Sequence, residues 1–158
     1  MDDFFLKEAL KGNVFHAHNT TAGAVTVIHA TCTGLVLENP FGSGVDCVLQ
    51  NASLTGETLT TIRECGLAIQ PAVVHAVSSS TTSQHIFNGM NRGGSVHTSK
   101  VFAYTIATLT GTPVWLSNMG NARVTAAVEG QTTISRDFDG SLVLAPGSLP
   151  TNTSRGHK

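Results

Sequence analysis

The sequence predicts an all-β protein, a jelly-roll-like β-sandwich with a short N-terminal helix or arm. Three observations carry this. Thr, Val and Ile recur from residue 13 onward, and they suit a pleated, half-buried surface. Short runs with apolar alternation are separated by Gly, Pro, Asn and Asp at the spacing of a sandwich or barrel. The 158 residues are enough for one core without covalent staples.

Asp2 or Asp3 can cap a helix that Phe4, Phe5 and Leu6 begin and Gly12 ends. A helix of about ten residues is marginal alone in water. It needs a surface to dock on, either its own domain or a neighbouring subunit. Candidate strands follow at 14–18, 24–30, 34–38, 45–54, 58–64, 67–77, 100–109, 113–118, 123–128, 131–135 and 141–145. Leu35 and Leu37 share a face, as do Val45, Cys47 and Leu49. So do Phe102, Tyr104 and Ile106, and again Leu142 and Leu144. Turn signals stand between strands at Asn39-Pro40, Gly42-Ser43-Gly44, Thr55-Gly56, Gly111-Thr112-Pro113, Glu129-Gly130, Asp139-Gly140 and Pro146-Gly147. The series from Arg136 to Gly140 reads as a tight hairpin turn. Residues 78–99, rich in Ser, Gly and Asn, read as a long exposed loop that touches a partner. The expected organisation is an arm at 1–12, a β-sandwich at 13–149 and a polar tail at 150–158.

Composition removes several function classes. Nine Lys+Arg against ten Asp+Glu leave a net charge of −1, with no basic run to neutralise phosphates. No nucleic-acid partner is expected. No apolar stretch approaches the ~20 residues that span a bilayer, and Met1-Asp2-Asp3 is acidic where a signal peptide is basic. No membrane partner is expected either. Cys32, Cys47 and Cys65 show no CxxC spacing and read as free thiols in a reducing compartment.

Chemistry is sparse. His16 and His18 share one strand face and could hold a metal as in a cupin barrel. A cupin also needs a carboxylate a few residues on, and no Asp or Glu occurs between His18 and Glu38. The chain has no GxSxG elbow. Asp137 and Asp139 belong to turn chemistry rather than to an acid/base pair. Gly42-Ser43-Gly44 lacks the Lys-Ser/Thr of a phosphate loop. Tyr104 and Trp115 are single aromatics expected in core packing. No catalytic residue, metal or cofactor is assigned. Only 12% of residues are charged, while 13 Ser and 21 Thr supply small polar surface. Such a surface loses little on burial, which suits lasting contact with other protein. Symmetric assembly would also cover exposed sheet edges. The expected contact residues are Phe4, Phe5, Leu6 and Leu10 on the arm, His16 and His18, and Asn88, Met90 and Arg92 in the long loop.

Two stretches together resemble a known family. Residues 35–49, with Leu35, Leu37, Asn39, Pro40, Gly42, Ser43 and Gly44, are similar to an L-x-L-x-N-P-x-G-S-G strand–turn–strand. Residues 137–148, with Asp139, Gly140, Leu142, Leu144, Pro146 and Gly147, are similar to a closing D-G-x-[IVL]-x-[IVL]-x-P-G strand. Both resemble the capsid decoration (cement) proteins of tailed phages, small β-sandwich or jelly-roll proteins. The resemblance implies a virion protein, made in the host cytoplasm, that sits on the capsid as a homotrimer and clamps neighbouring major capsid subunits. Members usually continue past the Pro-Gly with a further strand. Here only residues 150–158 remain, so that strand is expected to be absent or supplied by the N-terminal segment or a neighbour. The alternatives are a receptor- or glycan-binding knob of a phage fibre and, from the His pair, a cupin-like metal protein.

Overall fold

A computed structural model describes residues 3–19, 30–32, 34–56, 59–70, 77–84, 86–90, 97–124, 132–147 and 149–156. The chain is all-β, built from antiparallel sheets with one short N-terminal helix, consistent with a β-sandwich. The helix, α1, spans Asp3–Lys11. Gly12 stops it with φ at +79°, a conformation that costs glycine nothing. Gly12 N–H donates to Ala9 O and Asn13 N–H to Glu8 O, both at 3.0 Å, the paired bonds of a Schellman end.

The largest sheet has seven strands. Its path runs from β2 (Thr31–Cys32) to β8 (Phe102–Leu109), β3 (Val36–Glu38), β11 (Leu149–Gly156), β5 (Leu59–Gln70) and β9 (Val114–Val124). A seventh strand, β6 (Val77–Gln84), also pairs with β8. Among the described residues, two further pairs of strands form ribbons. β4 (Cys47–Gly56) pairs with β10 (Thr132–Leu144), and β1 (Phe15–Ala17) pairs with β7 (Ile86–Asn88).

The core follows small residues. Cys32, Val36, Ala107 and Leu109 form a buried cluster, with Val77 and Tyr104 packed against it. Phe102, Tyr104 and Ile106 were expected to form the apolar face of their strand. Ala103, Ala107 and Leu109 are buried instead, while Phe102 and Ile106 each stay 48% exposed. Ile106 lies at φ +55°, rare for a β-branched residue, which breaks the simple alternation there. The alternation expected across residues 142–144 is present, and across residues 45–49 it holds for Cys47 and Leu49 only, since β4 begins at Cys47 and Val45 lies before it, 37% exposed. Leu142 faces Leu49, and Leu144, fully buried, faces Cys47. Burying a side chain such as Leu144 contributes about 1.5–3 kcal/mol.

Several expected boundaries are corrected. Part of the loop expected at 78–99 is strand. β6 runs through its Ser/Thr series, and Gln84 Nε2 donates to Thr105 Oγ1 on β8 at 3.0 Å. Small hydroxyl side chains pair across strands as well as they fill loops. Residues 91–96 of that loop, and the strand expected at 24–30 except Ala30, lie outside the described residues. The expected polar tail is β11, which pairs with β5 from Leu149↔Gln70 to Gly156↔Arg63. A strand after Pro146-Gly147 is therefore present in this chain. Asp139 and Gly140 do adopt left-handed φ, +47° and +78°, but they make no hairpin. Residues on both sides pair with the same strand, Asp137 with Asn51 and Leu142 with Leu49. The pair bulges out of one continuous strand, and the chain direction does not reverse.

The expected break between 64 and 67 is likewise absent. β5 runs through Gly66, with register shifts against β9 on either side. A Cβ at Gly66 would lie 2.2 Å from Ser117 O and 2.7 Å from Trp115 Cζ2. The indole packs over bare backbone, the use for which a strand tolerates glycine. Gly66→Ala should cost about 1–3 kcal/mol, the usual range for overpacking, read as a lower urea midpoint. An unchanged midpoint would show that Trp115 does not sit there.

Burial first, then the Glu38 charge and the hydrogen bond to it, pushes the Tyr104 hydroxyl up to about 12. The folded chain thus favours the neutral phenol. This contribution is complete below the ordinary value near 10 and fades as pH rises through about 12. Thermal stability should fall over that window, and Tyr104→Phe should flatten the fall.

Candidate functional site

Most of the expected contact residues lie on α1 and on the β1–β7 ribbon, which Asn88 ties together. α1 leaves Phe4 61%, Leu6 50% and Leu10 58% exposed, with Phe5 half-buried. Its C-terminal end is held from outside by Asn88 on β7, whose Nδ2 donates to Gly12 O at 2.8 Å and to His97 O at 2.9 Å. Asn88 Oδ1 accepts the Met90 N–H at 2.8 Å. One carboxamide thus joins the helix end, the start of β7's following segment and residue 97. Glu8 finishes the helix end: its carboxylate accepts from Asn13 Nδ2 at 2.7 Å and Lys11 Nζ at 2.6 Å. Those two contacts, that with Asn13 first, hold the Glu8 carboxyl below its ordinary range.

Beside the helix, β1 and β7 lie in register, with Phe15↔Asn88, His16↔Phe87 and Ala17↔Ile86. Gly89 N–H donates to Val14 O at 2.7 Å and extends the ribbon. His16 and His18 share a face as the sequence implied, and both are exposed. Phe87 lies opposite His16 in the ribbon, and His18, one residue past β1, stacks on it at 5.7 Å with planes 3° apart. This face is therefore an aromatic, apolar surface rather than a ligand set. Among the described residues, no group of three or more His, Cys, Asp and Glu is placed to hold a metal ion. Met90 is half-buried, with its Cε near Gly12. Arg92 lies outside the described residues.

The turn residues form a second assembly. Asn39 is fully buried; its Nδ2 donates to Val45 O at 2.8 Å and to Leu144 O at 2.7 Å. Its backbone O accepts the Gly147 N–H at 2.5 Å. Ser43 N–H donates to Pro40 O at 3.1 Å across a turn with Gly42 at φ +84°, the geometry of a type II turn. Gly44 at +69° and Gly147 at +92° supply the other left-handed positions. The two stretches that carry the family resemblance are thus bonded to each other. Phe41, at the tip, is 74% exposed.

Sequence reasoning missed a third feature. The bulge of β10 opens a shallow cleft of about 210 Å³ against β9, lined by Leu116, Ser117, Arg136, Phe138, Ser141 and Leu142. Phe138 is buried, and the Arg136 guanidinium lies over its ring at 5.7 Å. Arg136 Nη1 donates to Ser117 Oγ and, at 2.9 Å, to Asn118 O. Cys32 and Cys65 are buried, and burial pushes the Cys32 and Cys47 thiols up, away from the reactive thiolate.

No protein-family model, curated protein or solved structure matches the chain.

Asn88→Ala should free α1 without disturbing the main sheet. Amide hydrogen exchange should rise at least tenfold at residues 10–13 and stay unchanged in β5 and β8. Unchanged exchange at the helix end would mean that Asn88 does not hold it.

Proposed function

We propose that this chain is a structural virion protein that decorates a bacteriophage capsid as a homotrimer and stabilises it by clamping neighbouring major capsid subunits. The sandwich being of jelly-roll type is part of the same proposal. The observation that carries it is the corner where α1 and the β1–β7 ribbon hold Phe4, Leu6, Leu10 and Phe87 out to solvent, beside His16 and His18. A monomer gains nothing by fastening apolar side chains outward, and exposed patches of this kind mark protein contacts. Supporting it are the low charge of the chain and the bonding of the two family-like turns through Asn39. Clamping would draw on buried area, ~1,600 Å² for a standard interface, repeated by symmetry.

Association with particles tests this reading. Purified protein should co-sediment with heads of a phage that encodes it, at saturable stoichiometry. Leu10→Glu and Phe87→Glu, both at exposed positions, should each weaken that association at least tenfold while the melting temperature stays within about two degrees. Full retention by both variants would remove the corner from the contact. Specific binding on a glycan array with no affinity for heads would replace the proposal with the fibre-knob reading.

A further inference from the structure

The ribbon beside α1 closes on a chemically labile pair of residues. Asn is among the thermolabile side chains. Of the nine Asn in the chain, Asn88 alone is followed by Gly. An Asn–Gly pair cyclises faster than other Asn pairs, because no side chain shields the glycine nitrogen and its backbone is the freest to turn. Here the geometry that holds α1 calls for both residues. Asn88 bonds to the helix end, to residue 97 and to Met90. At Gly89 a Cβ would lie 3.2 Å from His16 Nε2 and 3.3 Å from Val14 O, so a larger residue would crowd the ribbon.

In the closed ribbon both reacting groups are held. Gly89 N–H donates to Val14 O at 2.7 Å. The Asn88 carboxamide is spent on Gly12 O, His97 O and the Met90 N–H, at 2.8, 2.9 and 2.8 Å. Cyclisation needs the glycine nitrogen deprotonated and against Asn88 Cγ, so these bonds must open first. β1 and β7 pair over three residues each, and Gly89, just past β7, is exposed. So short a ribbon opens at less cost than the main sheet. We propose that Asn88–Gly89 is a modification site: opening of the β1–β7 ribbon lets Asn88 deamidate, and the product releases the end of α1.

The step needs only water. Gly89 N bonds to Asn88 Cγ, the Cγ–Nδ2 bond breaks, and Nδ2 leaves as ammonia with the glycine amide proton. Water then opens the cyclic imide. Opening at Cγ leaves aspartate at position 88. Opening at the backbone carbonyl leaves isoaspartate, which inserts a methylene into the main chain. Either product puts a carboxylate, which at neutral pH only accepts, where a donor stood. Gly12 O and His97 O are acceptors too, so both bonds are lost and the groups repel. The change is irreversible and gives the anchoring of α1 a finite lifetime. None of this depends on what covers α1.

Peptide mapping by mass spectrometry tests the site, on full-length protein aged at mildly alkaline pH with and without urea. In urea Asn88 should convert at least tenfold faster than any other Asn of the chain. It should also convert at least tenfold faster there than in the folded protein. Asn88→Asp supplies one product directly. It should raise amide hydrogen exchange at residues 10–13 at least tenfold and leave β5 and β8 unchanged. Folded protein aged until Asn88 has converted should show the same raised exchange. Conversion in urea no faster at Asn88 than at the other Asn would overturn the site. Equal rates in the folded and unfolded chain would overturn the gating by the ribbon. Wild-type exchange at residues 10–13 in Asn88→Asp, or exchange raised equally in β5 and β8, would overturn the local release of α1.

Discussion

One node that joins distant parts of this fold is the carboxamide of Asn39. It is buried and uncharged, and it donates to carbonyls at Val45 and Leu144, the second of them 105 residues away. An unpaired buried carbonyl costs about 1–3 kcal/mol, so these two acceptors define where Asn39 must sit. That fixes the type II turn at Pro40–Ser43 against the end of β10, and Gly147 N–H closes the same node from the other side. From there β4 and β10 run out as a ribbon, and the chain returns as β11 into the middle of the seven-stranded sheet. Pairing so distant in sequence is entropically costly to form, and a buried polar node of this kind selects one register among several.

What the sequence made legible was local. The helix stop at Gly12, the turn around Gly42 and the paired faces of Leu49, Leu142 and Leu144 each rest on one residue type or one short period. What stayed hidden depended on partners. Ser and Thr look like loop until an adjacent strand accepts them, so β6 could not be separated from loop by composition. Asp139-Gly140 carries hairpin chemistry, yet the continuous partner β4 makes it a bulge. Gly66 looks like a strand break until Trp115 is seen lying over it. Residues 149–156 are polar enough to read as a tail, and only pairing with β5 makes them a strand.

The candidate surface divides in the same way. Phe4, Leu6 and Leu10 stood out because a short helix with apolar residues demands a docking partner. His16 and His18 stood out by spacing, but the residue that gives their face its character is Phe87, from a strand 70 residues later, and no periodicity announced it. Asn88 was expected at a contact, and within the chain its carboxamide ties the end of α1 to β7 and residue 97. Arg136 and Phe138 escaped notice because the bulge that aims them into one cleft was read as a turn. In each case the chemistry was present in the string, and the juxtaposition came from topology.

The proposed function has these apolar side chains covered by a protein shell. Cryo-electron microscopy of intact particles of a phage that encodes this chain tests it most directly. The account expects density for the chain on the outer capsid surface, around local three-fold positions, with α1 and the β1–β7 ribbon against the shell. Well-resolved capsids bearing no such density, or density confined to a tail fibre, would contradict it.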